Sequence, residues 1–169
     1  MALPRTLKNM NLFNDGESYL GLVSEITLPK LSRKMEEYRA GGMNGPVQID
    51  LGHEALEIEW TCSGLIRDVL NQYGHPQHNG VPLRFAGAYQ RDDSAAVDAV
   101  EMVIRGRHKE IDFGTAKPGE LTECKITTAL SYYKLTMNGA EVIEIDLINM
   151  IEKVNGTDRL AEIRQAIGV

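Results

Sequence analysis

The sequence predicts a mainly β protein, an antiparallel sandwich or barrel decorated with one or two short helices. Three observations lead there. Apolar and polar residues alternate over several long stretches, the period of two that puts one face of a strand in a core and the other in water. Asp15-Gly16 and Asn138-Gly139 punctuate those stretches, and both dipeptides supply the positive φ angles of a tight hairpin turn. Helical spacing is confined to two brief segments.

Taken in order, "NLFNDGESYLGLVSEITL" reads as two strands joined at Asp15-Gly16. "PVQIDLGHEALEIEWTCSG" alternates in two halves, with Val47, Ile49 and Leu51, then Leu56, Ile58, Trp60 and Cys62, assigned to a core. Its opposite face carries Gln48, Asp50, Glu57, Glu59 and Thr61 and is expected to be wet. A helix follows in "LIRDVLNQYG", where Leu65, Ile66, Val69, Leu70 and Tyr73 keep helical spacing and Gly74 stops it. Strands resume at "LRFAGAYQR" and "VDAVEMVIRGRHKEIDFG", the second with a bulge expected at Gly106. In "LTECKITTALSYYKLTM" the alternating positions are even through Tyr132 and odd from Tyr133, which predicts a bulge or bend near those two tyrosines. "EVIEIDL" returns from the Asn138-Gly139 turn with Ile143, Ile145 and Leu147 facing in. The closing "TDRLAEIRQAIG" is a helix capped by Thr157, with an apolar stripe of Leu160, Ile163 and Ile167 and a stop at Gly168.

A chain of 169 residues fits one domain that buries roughly two thirds of its unfolded surface. With 43% hydrophobic and 25% charged residues it is neither disordered nor collagen-like. A net charge of −6 disfavours a protein that tracks nucleic-acid phosphates. Apolar runs such as "VIEIDLINMI" are short and broken by acids, so no membrane anchor is expected. The opening "MALPRTLKNMNLF" lacks an apolar h-region, so the expectation is a protein made and kept in the cytosol. In that reducing compartment Cys62 and Cys124 are expected to be small core hydrophobes rather than a disulfide or half a metal site.

Catalytic signatures are missing. "RAGGMNGP" lacks the Gly-Lys-Ser/Thr end of a phosphate loop and leads into a strand rather than a helix. His75 and His78 in "HPQH" have no Cys, Asp or Glu within a few residues, so a solvated loop is expected there and no metal or cofactor. Glu36-Glu37 and Asp92-Asp93 are adjacent acids, and neighbours on a strand point to opposite faces. "RGRHK" at 105–109 is read as a solvated strand edge or a source of inter-subunit salt bridges. No enzyme is expected.

The glycine-jointed excursion "KMEEYRAGGMNGPV" is left without a role, and it carries a resemblance. With "MALPRTLKNMNLFNDGESYLG", "LPKLSRKMEEYRAGGMNGPVQIDLGHEALE", "SYYKLTMNGAEVIEID" and "VNGTDRLAEIR" it resembles the major tail tube proteins of contractile-tailed phages and the tube proteins of R-type tailocins. The likeness runs over essentially the whole chain and is weakest between Tyr73 and Asp98. It implies a structural protein with a single tail tube domain over 1–169, in which 1–12 form an N-terminal arm and 30–46 an extended inter-subunit loop. It further implies homo-hexameric rings whose inner sheets join into a continuous β-barrel and which stack into a helical tube inside a sheath. Baseplate or tube-initiator, tape measure and terminator proteins would be its other partners. DNA would pass through the lumen of a phage tube without specific binding.

On this reading the loop is ordered by other subunits. Glycines Gly41, Gly42 and Gly45 let it turn, Met35, Tyr38 and Met43 supply apolar contact, and Lys34, Glu36, Glu37 and Arg39 pair across rings. The arm is expected to bury Leu3, Pro4, Leu7 and Leu12 against a neighbour, and Asp50, Glu57 and Glu59 are candidates to line the lumen. Two other readings stay open: a tube subunit of a related secretion-type contractile injection system, and a small β-barrel ligand binder, which needs a pocket of convergent polar groups.

Overall fold

The computed structural model describes residues 1–169. Six strands come first: β1 (Thr6–Asn14), β2 (Glu17–Ser18), β3 (Val23–Thr27), β4 (Arg33–Tyr38), β5 (Val47–His53) and β6 (Leu56–Ser63). Helix α1 (Arg67–Asn71) separates them from β7 (Val81–Gln90), β8 (Val97–Asp112), β9 (Glu123–Met137), β10 (Ala140–Asp146), β11 (Ile151–Val154) and β12 (Thr157–Asp158). Helix α2 (Ala161–Ile167) follows, and every strand pair is antiparallel.

The architecture is organised by β9. One of its edges pairs with β8 along nearly its whole length. The other edge serves two partners in turn: β6 from Glu123 to Leu130, then β10 from Tyr132 onward. Ser131 falls between them and is skipped in the β8 ladder too, where Arg105 opposes Tyr132 and Gly106 opposes Leu130. A residue left out of a ladder bends the strand and raises its twist. Here it divides the sheet. One branch runs β3-β6-β9-β8, the other β12-β11-β10-β9-β8-β7-β1-β2.

Side chains from both branches meet in one core. Leu56, Ile58, Trp60 and Ile126 come from the first, and Leu12, Leu83, Phe85 and Tyr133 from the second. Fully burying a side chain of this size stabilises by about 1.5–3 kcal/mol. The phase shift in β9 lies at Leu130-Ser131, both buried, slightly before the predicted Tyr132-Tyr133. The predicted Gly106 bulge is at the matching place on β8, and a Cβ there would stand 1.9 Å from the carbonyl oxygen of Ala129. Only glycine fits that approach.

A buried polar chain crosses the core. Trp60 Nε1 approaches Thr128 Oγ1 at 3.5 Å, and His108 Nδ1 lies 3.0 Å from the same hydroxyl. His108 Nε2 donates to Gln72 Oε1 at 3.0 Å, and Gln72 exchanges two amide bonds with Asn14 at 2.7 and 2.8 Å. The chain ties the end of α1 to β1, β8 and β9, and no buried side-chain polar atom is left unpaired. Burial lowers the His108 pKa from 6.5 to about 4, so the ring is neutral here.

Several expectations change. The Asp15-Gly16 and Asn138-Gly139 turns form with positive φ at all four residues, yet the first returns only into the two-residue β2, and β3 pairs with β6 instead. Val47, Ile49 and Leu51 lie outside the core, and Leu147 is exposed. Thr157 belongs to β12, so α2 begins after Leu160 with no side-chain cap, and its Ile163 and Ile167 are exposed. Within "RGRHK", His108 points into the core and is not solvated. Cys62 and Cys124 face each other as free, buried thiols, and burial pushes Cys62 up to about 11.

Two outcomes follow from this packing. Gly106→Ala forces the β8–β9 ladder apart and lowers unfolding stability by about 1–3 kcal/mol or more in urea titration. A depressed histidine pKa adds stability that is complete above pH 6.5 and is lost as pH falls toward 4. The loss amounts to about 3 kcal/mol. Urea midpoints therefore hold steady from pH 8 to about 6.5 and fall below it, and His108→Gln flattens that limb. Asp98, held low by Asn138 and then Arg5, and Asp158, held low by Arg164, act only below the ordinary carboxylate value of 3.8.

Candidate functional site

Between Lys30 and Pro46 the chain forms no loose loop for its first half. Residues 33–38 are the strand β4, which makes a separate two-stranded sheet with β5. Arg33 fixes its base: Nε donates to Asp50 at 2.6 Å and Nη1 to Glu152 of β11 at 2.5 Å. The Glu54 amide also donates to Ser32 O at 2.8 Å. The amide of Gly52 and then Arg33 hold the Asp50 carboxyl below its usual range, so this contact is an ion pair at neutral pH.

Beyond that base β4 and β5 pair only with each other. Residues directly opposite share a face, so Tyr38 sits beside Val47 and Glu36 beside Ile49. Leu51 and Lys34 continue that face. Tyr38, Val47, Ile49 and Leu51 are 44–54% exposed, an apolar strip with nothing over it. Met35, Gln48 and Glu37 occupy the reverse side.

The tip, residues 39–46, folds on itself. Met43 N donates to Ala40 O at 3.2 Å, and Arg39 Nε reaches Met43 O at 3.4 Å. Of the three glycines there only Gly42 has a positive φ, 85°, while Gly41 and Gly45 stand in open space without it. One glycine makes the turn.

The arm expected over 1–12 is largely β1. Leu12 is in the core, 1% exposed, so it is not available to a neighbour. Leu3 N donates to Asp93 Oδ2 at 3.0 Å, Lys8 pairs with Asp92 at 2.5 Å, and Arg5 pairs with Asp98. These contacts lay the segment along the turn between β7 and β8. Leu3, Pro4 and Leu7 remain exposed.

The three lumen candidates separate. Asp50 belongs to the hairpin base, whereas Glu57 and Glu59 lie on the outer face of β6. There Glu57 pairs with Lys109 at 2.6 Å and Glu59 with Lys125 at 3.6 Å. Glu57 raises the Lys109 pKa, which keeps that pair charged. No group of three or more His, Cys, Asp or Glu is arranged to hold a metal, and neither helix is long and apolar enough to cross a membrane.

Sequence reasoning missed the exposed strip because Val47, Ile49 and Leu51 alternate as regularly as the core strand that follows. The available signal was Lys34 and Glu36 opposite them, charges that a core face does not take. It also missed Ile163, Ile167 and Val169 as surface residues at the end of the chain.

The fold is a mainly antiparallel β domain that carries an exposed amphipathic hairpin. The chain belongs to the phage tail tube protein FII family, whose model matches residues 4–168. It is 53% identical over 172 residues to the tail tube protein of Escherichia phage P2, covering all of both chains. It is 37% identical over 158 residues to the major tail tube protein of Serratia phage KSP20, covering 92% of this chain and 91% of that one. A chain of the PVC sheath-tube complex, an extracellular contractile injection system in its extended state, shares the fold with a TM-score of 0.60. That likeness covers 79% of this chain and 91% of the other at 11% identity. A chain of the anti-feeding prophage tube-terminating cap shares it at 0.60 as well, over 80% and 93% at 12% identity. The family is structural, and the chain is not an enzyme.

Arg33→Ala removes both ion pairs at the hairpin base. Amides of β4 and β5 then exchange faster with deuterium, while the unfolding free energy of the sandwich changes by less than about 1 kcal/mol.

Proposed function

We propose that this chain is the structural subunit of the inner tube of a contractile tail, in a phage or in a genome-free tailocin. Copies form rings of six, the rings stack into a helical tube, and the work is done by geometry and self-association. The observation that carries this is the β4–β5 hairpin, anchored at its base and uncovered along Tyr38, Val47, Ile49 and Leu51. A strip of that kind is covered by identical copies in a closed assembly, and burying the exposed half of each of these side chains contributes roughly 1 kcal/mol. Lys34 and Glu36 share its face, Glu37 lies on the reverse side and Arg39 at the tip, and their charges set the register of the contact. Met35 and Met43 add adaptable surface at the rim, and Gly41, Gly42 and Gly45 bring the tip's backbone close to a neighbour.

The exposed Leu3, Pro4 and Leu7 extend the same interface from the other end of the sheet. Glu57 and Glu59 face the lumen with their lysine partners, so the wall offers paired charge rather than free cations. DNA then passes without binding in a phage tube. Partners are the tail sheath outside, the baseplate or tube initiator at one end, the terminator at the other and the tape measure within. The subunit is made in the cytoplasm of the host and ends in the tail.

Ile49→Asp tests the reading. Ile49 lies outside the core and is 44% exposed, so circular dichroism and the melting temperature stay near wild type. The concentration needed for tubes to appear by electron microscopy rises at least about tenfold. Tubes forming at the wild-type concentration remove the hairpin from the interface, and a variant that unfolds places it in the core.

A further inference from the structure

Cys62 of β6 and Cys124 of β9 stand directly opposite each other, and both side chains lie in the core at 1% and 2% exposure. Neither serves the hairpin, the arm or the outer face of β6. The ladder fixes the spacing of the pair. Gly64 N donates to Thr122 O at 2.8 Å, just beyond the last opposed residues, Ser63 and Glu123. Hydrogen-bonded and non-hydrogen-bonded pairs alternate along an antiparallel ladder. Two residues further in, Cys62 and Cys124 are therefore a hydrogen-bonded pair, with Cα atoms about 5.5 Å apart. Disulfides favour Cα separations of about 5.5–6 Å. The Cys62 thiol already reaches across, since its Sγ lies 3.5 Å from Cys124 O and 3.7 Å from Gly64 O.

The pair also sits where the ladder opens most easily, one residue from its end. Residues 113–122, which lead into β9, form neither strand nor helix and are all exposed. On the other strand Gly64, at φ 76°, turns the chain aside directly after Ser63. Fraying of this end by one or two residues bares both sulfurs, while Leu56 to Thr61 stay paired with Lys125 to Leu130.

We propose that Cys62 and Cys124 are an oxidation site, at which a low-molecular-weight disulfide converts the facing thiols into a cross-strand disulfide between β6 and β9. This rests on the tube reading for the change of compartment alone. A subunit made in a reducing cytoplasm and used in a tail outside the cell passes from conditions that keep thiols free to conditions that permit the bridge. The electrons balance. One cysteine, as thiolate, attacks a sulfur of the small disulfide, forms a mixed disulfide and releases one small thiol. The facing cysteine, also as thiolate, then attacks the protein-bound sulfur, expels the second small thiol and closes the bridge. The two protons given up by the cysteines end on the two released thiols, and the two electrons reduce the small disulfide. The bridge encloses α1, β7 and β8 in one covalent loop and so restricts the unfolded chain.

The test treats the purified full chain with glutathione disulfide at about pH 8, with and without urea below the unfolding transition. Remaining thiols are then blocked with N-ethylmaleimide in denaturant and the product is weighed. The expected product has lost two hydrogens, carries no maleimide, gives a linked Cys62–Cys124 peptide on proteolysis and regains both thiols in dithiothreitol. Cys62→Ser and Cys124→Ser each take up one maleimide or one glutathione and form no internal bridge. The bridged chain keeps the circular dichroism of the reduced one, and its urea midpoint rises by about 1 M. Two free thiols under both conditions, while the fully unfolded chain oxidises, overturn the proposal, and so does a bridged chain whose midpoint falls. Tube formation is scored separately by electron microscopy in dithiothreitol. Its absence overturns the tube reading and leaves the oxidation site standing, because the bridge is read on the subunit itself.

Discussion

One edge of β9 holds two partners, and the rest of the molecule depends on that arrangement. Backbone amides and carbonyls need partners when they leave water, so a long strand cannot abandon β6 and take up β10 without a residue at which the ladder is interrupted. Ser131 is that residue. Its carbonyl accepts from Leu147 N at 3.1 Å and its hydroxyl lies 2.9 Å from His78 Nδ1, so both oxygens of the interrupting residue find partners. Gly106 allows β8 to follow the same bend at a distance no side chain permits. From this one irregularity come the division of the sheet, the enclosed core, and the four-stranded branch with both ends open.

Stability is unevenly spread as a consequence. The sandwich holds its aromatic residues, its two thiols and the chain of polar groups from Trp60 to Asn14 in a dry interior where every group has a partner. The hairpin of β4 and β5 holds apolar residues of similar size in water, tethered by Arg33 and the chain itself. A monomer optimised alone would exchange Val47, Ile49 and Leu51 for polar residues at no loss to its core. The proposed association of identical copies gives them the cover that the subunit alone does not.

The sheet was legible in the sequence wherever one face is buried and the other wet. Leu56 to Cys62, Cys124 to Leu130 and the two glycine turns read correctly, because alternation and positive φ are local properties of the chain. The hairpin was not, since periodicity reports that one face is apolar and says nothing about what covers it. Leu12 shows the converse error. It was placed in a free arm because the terminus carries few signals, whereas pairing with β7, remote in sequence, draws it into the core. His108 was hidden within a basic run, and only the approach of Thr128 and Gln72 from distant segments makes its burial tolerable. Thr157 looked like a helix cap because its residue type suits one, but a two-residue strand pair with β11 claims it first.

The irregularities of the four-stranded branch carry a consequence for shape. Curvature in a sheet is set by its misfits, here the skipped residues Ser24, Lys109 and Ser131 and the pinched backbone at Gly106. The bend of this sheet is thereby encoded in four positions that break the pattern, while the regular residues around them merely extend the curve that those four dictate.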